Sequence, residues 1–144
     1  MAVEISWAKM SDVEDLEAMD RIAQHENRFW VPQTKADFGK VIKRSGFLTL
    51  IARQNGKAVG YLQSGHRNTD KHMWIENVMV LEEYRKKGIA RMLVNRFISH
   101  WRDKVDYIVL ITPDHNVEVF ERLGFEKEMN YMGYKYSRKK TNKR

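Results

Sequence analysis

The sequence predicts an α/β domain in which a central mixed β-sheet is flanked by helices. Three observations lead there. Apolar and polar residues alternate in short runs separated by turn residues, as half-buried strands require. Helical spacing of apolar residues appears between those runs, most clearly from Ile89 to Trp101. The continuous apolar run Tyr107-Ile108-Val109-Leu110-Ile111 marks a strand expected to be buried on both faces.

The elements follow in order. Val3-Glu4-Ile5-Ser6-Trp7 alternates and reads as a first strand. Ser11 or Asp12 is placed to cap a helix whose first turn carries Asp12, Glu14 and Asp15, acids that suit the positive end of a helix dipole. Val13, Leu16, Met19 and Ile22 or Ala23 form its apolar stripe. After the aromatic break Phe29-Trp30-Val31-Pro32, Thr34 can cap a second helix bearing Phe38, Val41 and Ile42. Phe47 to Arg53 and Ala58 to Ser64 are strands joined at Asn55-Gly56, a dipeptide suited to tight hairpin turns. A polar turn, Asn68 to Lys71, leads to the strand Met73 to Leu81. The helix Ile89–Trp101 and the strand from Tyr107 come next, then a short helix, Asn116 to Leu123, stopped by Gly124. Phe125 to Lys127 and Tyr131 to Ser137 are expected as a closing antiparallel pair. The order is β-α-α-β-β-β-α-β-α-β-β. Its central β-α-β unit, Met73 to Ile111, is a parallel crossover expected to be right-handed.

The chain has 144 residues, 42% of them hydrophobic, which suits one domain with a real core. We expect that domain over residues 1–137 and a basic, disordered tail over 138–144. Five basic residues and no acid lie in that tail, out of a formal net charge of +7, so the body is nearly neutral. A basic tail can find phosphates on nucleic acid or a membrane surface. It lacks the aromatic interleaving of a nucleic-acid-binding module, so the tail alone carries that reading. Residues 1–7 lack the basic start and apolar run of a secretory leader, and no segment approaches the roughly 18 apolar residues of a membrane span. There is no cysteine, which excludes disulfides, thiolate nucleophiles and Cys-ligated zinc, and fits a cytoplasmic protein. No His/Asp/Glu spacing suggests a metal site.

The informative segment runs from Val78 to Ala90: Val-Met-Val-Leu-Glu-Glu-Tyr-Arg-Lys-Lys-Gly-Ile-Ala. It passes from an apolar strand through a charged loop into an amphipathic helix. A helix start leaves backbone N–H groups unpaired and, with the dipole, makes an anion site. Gly88 allows close approach of a phosphate, and Ala90 adds little bulk. Arg85, Lys86, Lys87 and Arg91 place cations where the dipole alone would prefer acids, which an anionic ligand explains. The ligand this chemistry fits is a pyrophosphate.

The segment resembles the Arg/Gln-x-x-Gly-x-Gly/Ala signature of the GNAT family of N-acetyltransferases, including its preceding Val-x-Val strand. Phe120-Glu121-Arg122-Leu123-Gly124-Phe125 is similar to the family's Phe/Tyr-Glu-Lys/Arg-Leu-Gly-Phe motif. The two motifs stand in the family's order, and the resemblance spans roughly residues 3–137. It implies a GNAT-like acyl-CoA N-acyltransferase fold, acetyl-CoA as co-substrate and an amine as acceptor. It further implies that backbone groups of Val78, Met79 and Val80 pair with the pantetheine arm like an added strand. The stretch Arg85, Lys86, Lys87, Gly88, Ile89, Ala90 and Arg91 would hold the pyrophosphate. The strands holding Val80 and Ile111 would splay to admit the thioester. Relatives often form dimers, though no residue pattern here demands a homodimer.

Two positions depart from the family pattern. Where many members carry a tyrosine thought to protonate the departing thiolate, this chain has Phe120, which has no donor. Seven residues earlier, where an asparagine is common, stands Pro113; Asn116 is the nearby substitute for CoA binding. A CoA thiol is a reasonable leaving group near neutral pH, since free thiols titrate around 8.5, so water or another hydroxyl can serve. For the base that takes the amine proton, Glu76 is the candidate. It is a carboxylate in an otherwise apolar strand, with the parity of Val78 and Val80, where relatives often have an acid. The plainer account is a carboxylate facing a solvated groove or paired with a basic neighbour. His115 and His72 are lesser candidates, and His66 flanks a polar turn. Phe29, Trp30 and Phe38 either line the acceptor pocket or pack between the first two helices. Three functions stand: an N-acetyltransferase, an acyl-CoA-binding module that no longer catalyses, and a nucleic-acid binder acting through the tail.

Overall fold

The computed structural model describes residues 2–27, 30–44, 48–64, 71–112 and 116–128. Five strands form one sheet in the order β1 (Val3–Trp7), β2 (Thr49–Gln54), β3 (Lys57–Ser64), β4 (His72–Val80) and β5 (Tyr107–Leu110). The first four are antiparallel neighbours, and β4 and β5 run parallel. The helices are α1 (Val13–Glu26), α2 (Lys35–Lys43), α3 (Ile89–Trp101) and α4 (Val117–Arg122). The fold class and the mixed sheet expected from the sequence are therefore present.

Local chemistry explains the boundaries. Asn55 and Gly56 both adopt positive φ, 53° and 79°, giving the turn whose twist suits a two-residue hairpin. Thr34 caps α2: its hydroxyl accepts from the Asp37 backbone N–H at 3.3 Å, while Asp37 accepts from the Thr34 N–H at 2.9 Å. These bonds from the Thr34 backbone and hydroxyl hold the Asp37 carboxyl below its usual range. At the start of α1 the Asp12 carboxylate is used differently. It accepts from the Lys9 N–H and from Arg53, tying the helix start to β2. Gly124, at φ 97°, ends α4, and the Phe125 N–H returns to the Phe120 carbonyl at 3.1 Å.

The sheet carries a core on each face. On one, α3 sets Ile89, Leu93, Val94 and Phe97 against Leu50, Leu62, Met73, Ile75 and Val80. On the other, α1 and α2 bring Leu16, Met19 and Phe38 against Ile51, Tyr61 and Met79. Full burial of such side chains contributes about 1.5–3 kcal/mol each. Phe38 is wholly buried in the second core, edge-on to Tyr61 at 5.6 Å. It packs in the core between the two helices and the sheet.

Two strand expectations change. β5 is half-buried, with Tyr107 60% exposed, and Ile111, just past its end, is 53% exposed, so the run is not buried on both faces. No described strand pairs its outer edge, and beyond Leu110 the chain borders a cleft. Phe125–Lys127 carries no strand conformation; its expected partner, residues 131–137, lies outside the described residues, as do the tail, Phe29, His66, Pro113 and His115.

Gly60 holds the sheet tightly at its centre. A Cβ there would lie 2.8 Å from the Met79 carbonyl oxygen and 3.3 Å from Val80 Cγ2. Backbone of a paired strand cannot step aside, so Gly60→Ala is expected to destabilise the protein by about 1–3 kcal/mol, read as a lower denaturation midpoint at unchanged m-value.

Candidate active site

The site begins where the parallel pair comes apart. β4 and β5 pair from His72–Tyr107 to Ile75–Leu110 and no further, although β4 continues to Val80. At the same point β4 carries a bulge. Gln63 of β3 faces Asn77, the next residue, Ser64, faces Ile75, and Glu76 has no partner across the ladder. The extra residue resets the alternation: Met73 and Ile75 lie in the core under α3, and so do Val78 and Val80. The expectation that Glu76 shares a face with Val78 and Val80 by simple parity is therefore corrected. The strand alternates on either side of Glu76, not through it, and Glu76 is exposed.

Beyond the bulge, the Leu81 N–H donates to the Val59 carbonyl. By the two-residue alternation of an antiparallel ladder, Met79 also turns its backbone groups toward β3, while Val78 and Val80 turn theirs to the side from which β5 has departed. The Met79 side chain is buried in the opposite core.

The gap opens into a cleft of about 1380 Å³. Glu76, Val78, Met79, Val80, Arg85 and Asn116 line it, so it gathers six residues singled out from the sequence. Phe120 lines it too, edge-on to Phe125 at 5.9 Å. Asn116 stands at the N-cap position of α4. Glu76 makes no ion pair with a described residue, although Lys40, Arg44 and Arg85 border the same cleft. Thr112 is a further hydroxyl on its wall. His72 stacks on Tyr107 at 5.2 Å and is not among the cleft's described lining residues.

Lys86, Lys87, Gly88, Ile89, Ala90 and Arg91 are not in the cleft's lining; they form the start of α3, directly after Arg85. Gly88 sits at the N-cap in the left-handed region, φ 85°, and a Cβ there would meet nothing within 4 Å. Lys86 also has positive φ, 61°. Lys86, Lys87 and Arg91 are exposed, and no acid lies in the first turn of α3. Lys87 and Lys57 both approach the Tyr84 ring, at 5.6 and 5.4 Å from its centre. Ile89 is buried in the core and anchors the helix start. Arg85 behaves differently from its neighbours. Its Nε donates to the Val80 carbonyl at 2.7 Å, and its guanidinium pairs with Glu26 of α1 at 2.5 Å. A half-exposed pair of this kind contributes only about 0–1 kcal/mol. Its effect is positional, since it ties the end of α1 to the loop that leads into α3.

The sequence reading missed a polar cluster on the cleft's other wall. Asp20, fully buried, accepts hydrogen bonds from Trp30 Nε1 at 2.6 Å, Tyr61 Oη at 3.2 Å, the Gln33 backbone N–H at 2.9 Å and Gln24 Nε2 at 2.8 Å. Burial, the Asp20 charge and the bond to it hold the Tyr61 hydroxyl far above the usual phenol range. Gln33 and Gln63 exchange two amide hydrogen bonds, 2.8 and 2.9 Å, and Asn77 Nδ2 donates to Gln63 Oε1 at 3.1 Å. Trp30, Gln33, Gln63 and Asn77 all line the cleft. The available signal was Asp20 itself, an acid within the apolar stripe of α1 between Met19 and Ala23.

Comparison with known proteins adds the following. The family model described as the acetyltransferase (GNAT) family matches residues 7–125. No curated protein gives a significant match. Among solved structures, a transcriptional regulator from Bacillus halodurans C-125 is 20% identical with TM-score 0.76, over 94% of this chain and 100% of that one. An aminoglycoside acetyltransferase from an uncultured soil metagenomic sample, in complex with sisomicin, is 15% identical with TM-score 0.74, over 95% and 97%. An aminoglycoside N-acetyltransferase in complex with CoA is 18% identical with TM-score 0.72, over 94% and 95%. At these identities the likeness is one of fold.

Proposed function

The chain belongs to the acetyltransferase (GNAT) family, and from that premise we propose that it transfers an acetyl group from acetyl-CoA to a primary amine by direct attack in a ternary complex. The observation that carries the reading is the splayed β4–β5 pair, whose gap is bordered by Val78 and Val80 on one side and by Leu110, Ile111 and Phe120 on the other. A slot of this kind receives an extended arm. The backbone groups of Val78 and the Val80 N–H are turned toward it by strand alternation, while the Val80 carbonyl already accepts from Arg85 Nε, so an amide-containing arm can add as a strand would along Val78 and the Val80 N–H. The start of α3, with Gly88 and the cations Lys86, Lys87 and Arg91, suits the pyrophosphate. Asn116 completes the cofactor contacts from α4. A neighbour of similar fold was solved with CoA, which supports this assignment.

In the reaction the amine nitrogen attacks the thioester carbonyl carbon. The C–S bond then breaks and CoA leaves as its thiolate. Holding the two reactants together supplies much of the rate. Glu76 takes the amine proton, directly or through a water, from its unpaired position on the bulge. The thiolate takes its proton from water or a neighbouring hydroxyl, since Phe120 offers none. We place the protein in the cytoplasm; no helix among the described residues is long and apolar enough to cross a membrane.

The second reading, an acyl-CoA-binding module with weak or no turnover, rests on Phe120 lining the slot. Free-thiol release from acetyl-CoA separates the two when measured across amino-sugars, polyamines, peptides and basic proteins. Release with one acceptor class is the expected result and names the substrate. Tight acetyl-CoA binding by calorimetry without release under any acceptor favours the module.

A further inference from the structure

We propose that Asp20 is a positioning residue for the acceptor side of the cleft. It locks the wall formed by Trp30 and Gln33, and through the Gln33–Gln63–Asn77 amide chain that wall is joined to the bulge carrying Glu76. The transfer reading supplies the kinetic part of this inference; the lock itself stands on geometry.

A buried carboxylate that forms no ion pair with a described residue needs its oxygens fully bonded. Asp20 meets that need with four donors, two on each oxygen. Oδ1 takes Trp30 Nε1 and Tyr61 Oη; Oδ2 takes the Gln33 N–H and Gln24 Nε2. The donors divide into two kinds. The Tyr61 hydroxyl and the Gln24 amide can turn round and accept. The Trp30 indole N–H and the Gln33 backbone N–H can only donate. Both of the latter belong to the segment between α1 and α2, whose described residues Trp30 to Gln33 carry no helix or strand and border the cleft. Glu17, one turn before Asp20, holds the far end of the segment in place by accepting from the N–H of Lys35, the first residue of α2, at 2.9 Å.

From Gln33 the chain of contacts continues across the cleft floor. The reciprocal amide pair with Gln63 sets the Gln63 carbonyl oxygen to receive Asn77, the residue that follows Glu76 in the bulge. Asp20 therefore touches neither cofactor nor acceptor, yet the wall and the candidate base share one hydrogen-bonded frame anchored on it. A loop wall held this way is preorganised for binding, which lowers what an acceptor must spend on ordering it.

The Asp20→Asn substitution tests the lock because it keeps size and removes one acceptor. Its NH2 group must face either the Trp30–Tyr61 pair or the Gln33–Gln24 pair. In both orientations one donor-only group of the wall loses its partner. Two readouts follow. By hydrogen exchange, protection of the Gln33 amide or of the segment 30–35 is expected to fall at least about tenfold, the equivalent of one lost hydrogen bond. In steady-state kinetics the KM for the amine is expected to rise about tenfold, with kcat and acetyl-CoA affinity within about twofold. Tyr61→Phe, which removes a donor from β3 and none from the wall, is expected to leave both readouts near wild type. If Asp20→Asn does not fold, Trp30→Phe removes the indole donor together with part of the ring, and protection of the Gln33 amide is expected to fall severalfold in it while the amine KM rises.

Unchanged exchange in folded Asp20→Asn overturns the proposal. So does an amine KM equal to wild type in an active variant, or an equal rise in Tyr61→Phe, which would make the cluster a general fold element. If the wild-type protein acetylates no amine, the transfer reading fails, and the exchange comparison still decides the lock.

Discussion

Gly88→Glu is expected to abolish measurable acetyl-CoA binding, with the dissociation constant raised by at least about a hundredfold, or roughly 2.7 kcal/mol. Two effects add. Gly88 holds φ 85°, a conformation that costs a side-chain-bearing residue roughly 1–2 kcal/mol. The new carboxylate also sits at the one helix start where Lys86, Lys87 and Arg91 converge without an acid, and there it competes with a phosphate for the same backbone N–H groups. Space is not the obstacle, since a Cβ at this position meets nothing within 4 Å. Gly88→Asn separates the effects, because asparagine tolerates the left-handed region and carries no charge. Its binding by isothermal titration calorimetry should stay within a few-fold of wild type. Undiminished affinity in folded Gly88→Glu would remove the α3 start from the cofactor site.

Glu76→Gln is expected to lower kcat/KM for the amine by about a hundredfold, the low end of what a positioned general base contributes, while acetyl-CoA affinity stays the same. The substitution preserves shape at an exposed bulge position, so folding should be unaffected. The pH–rate profile is the discriminating measurement. A base that works by accepting a proton leaves its own limb in that profile, and the limb should vanish in the variant. A profile superimposable on wild type would take Glu76 out of catalysis and leave water as the proton acceptor.

Much of this was legible in the chain, and the reasons are local. Asn55-Gly56 encodes its own turn, the α3 boundaries coincide with the apolar period from Ile89 to Trp101, and Thr34 caps as its hydroxyl predicts. The strand–loop–helix from Val78 to Ala90 could be anticipated because its residues are continuous in the chain. What stayed hidden depends on partners far away in sequence. The β4 bulge arises from pairing with β3, and no property of Trp74 to Val78 announces it. The pairing of Arg85 with Glu26, 59 residues earlier, has no local signal. Asp20 stands within the apolar stripe of α1, but the donors that satisfy it, Trp30, Gln33 and Tyr61, come from 10 to 41 residues away in the chain. Phe38 has two readings, one from the family resemblance and one from packing, and its burial edge-on to Tyr61 selects the core.

The bulge has a consequence for how such a domain can change. Because Met73 and Ile75 upstream lie on the same face as Val78 and Val80 downstream, Glu76 amounts to one residue added to an otherwise regular strand. Every apolar side chain of β4 would keep its face if that residue were absent, since removing one position from the bulge restores simple alternation. The core and the candidate chemistry are thus separable by a single codon. A lineage can gain or lose a carboxylate at the mouth of the cleft without repacking either side of the sheet, and a chain that keeps the pocket while shedding Glu76 is one deletion away.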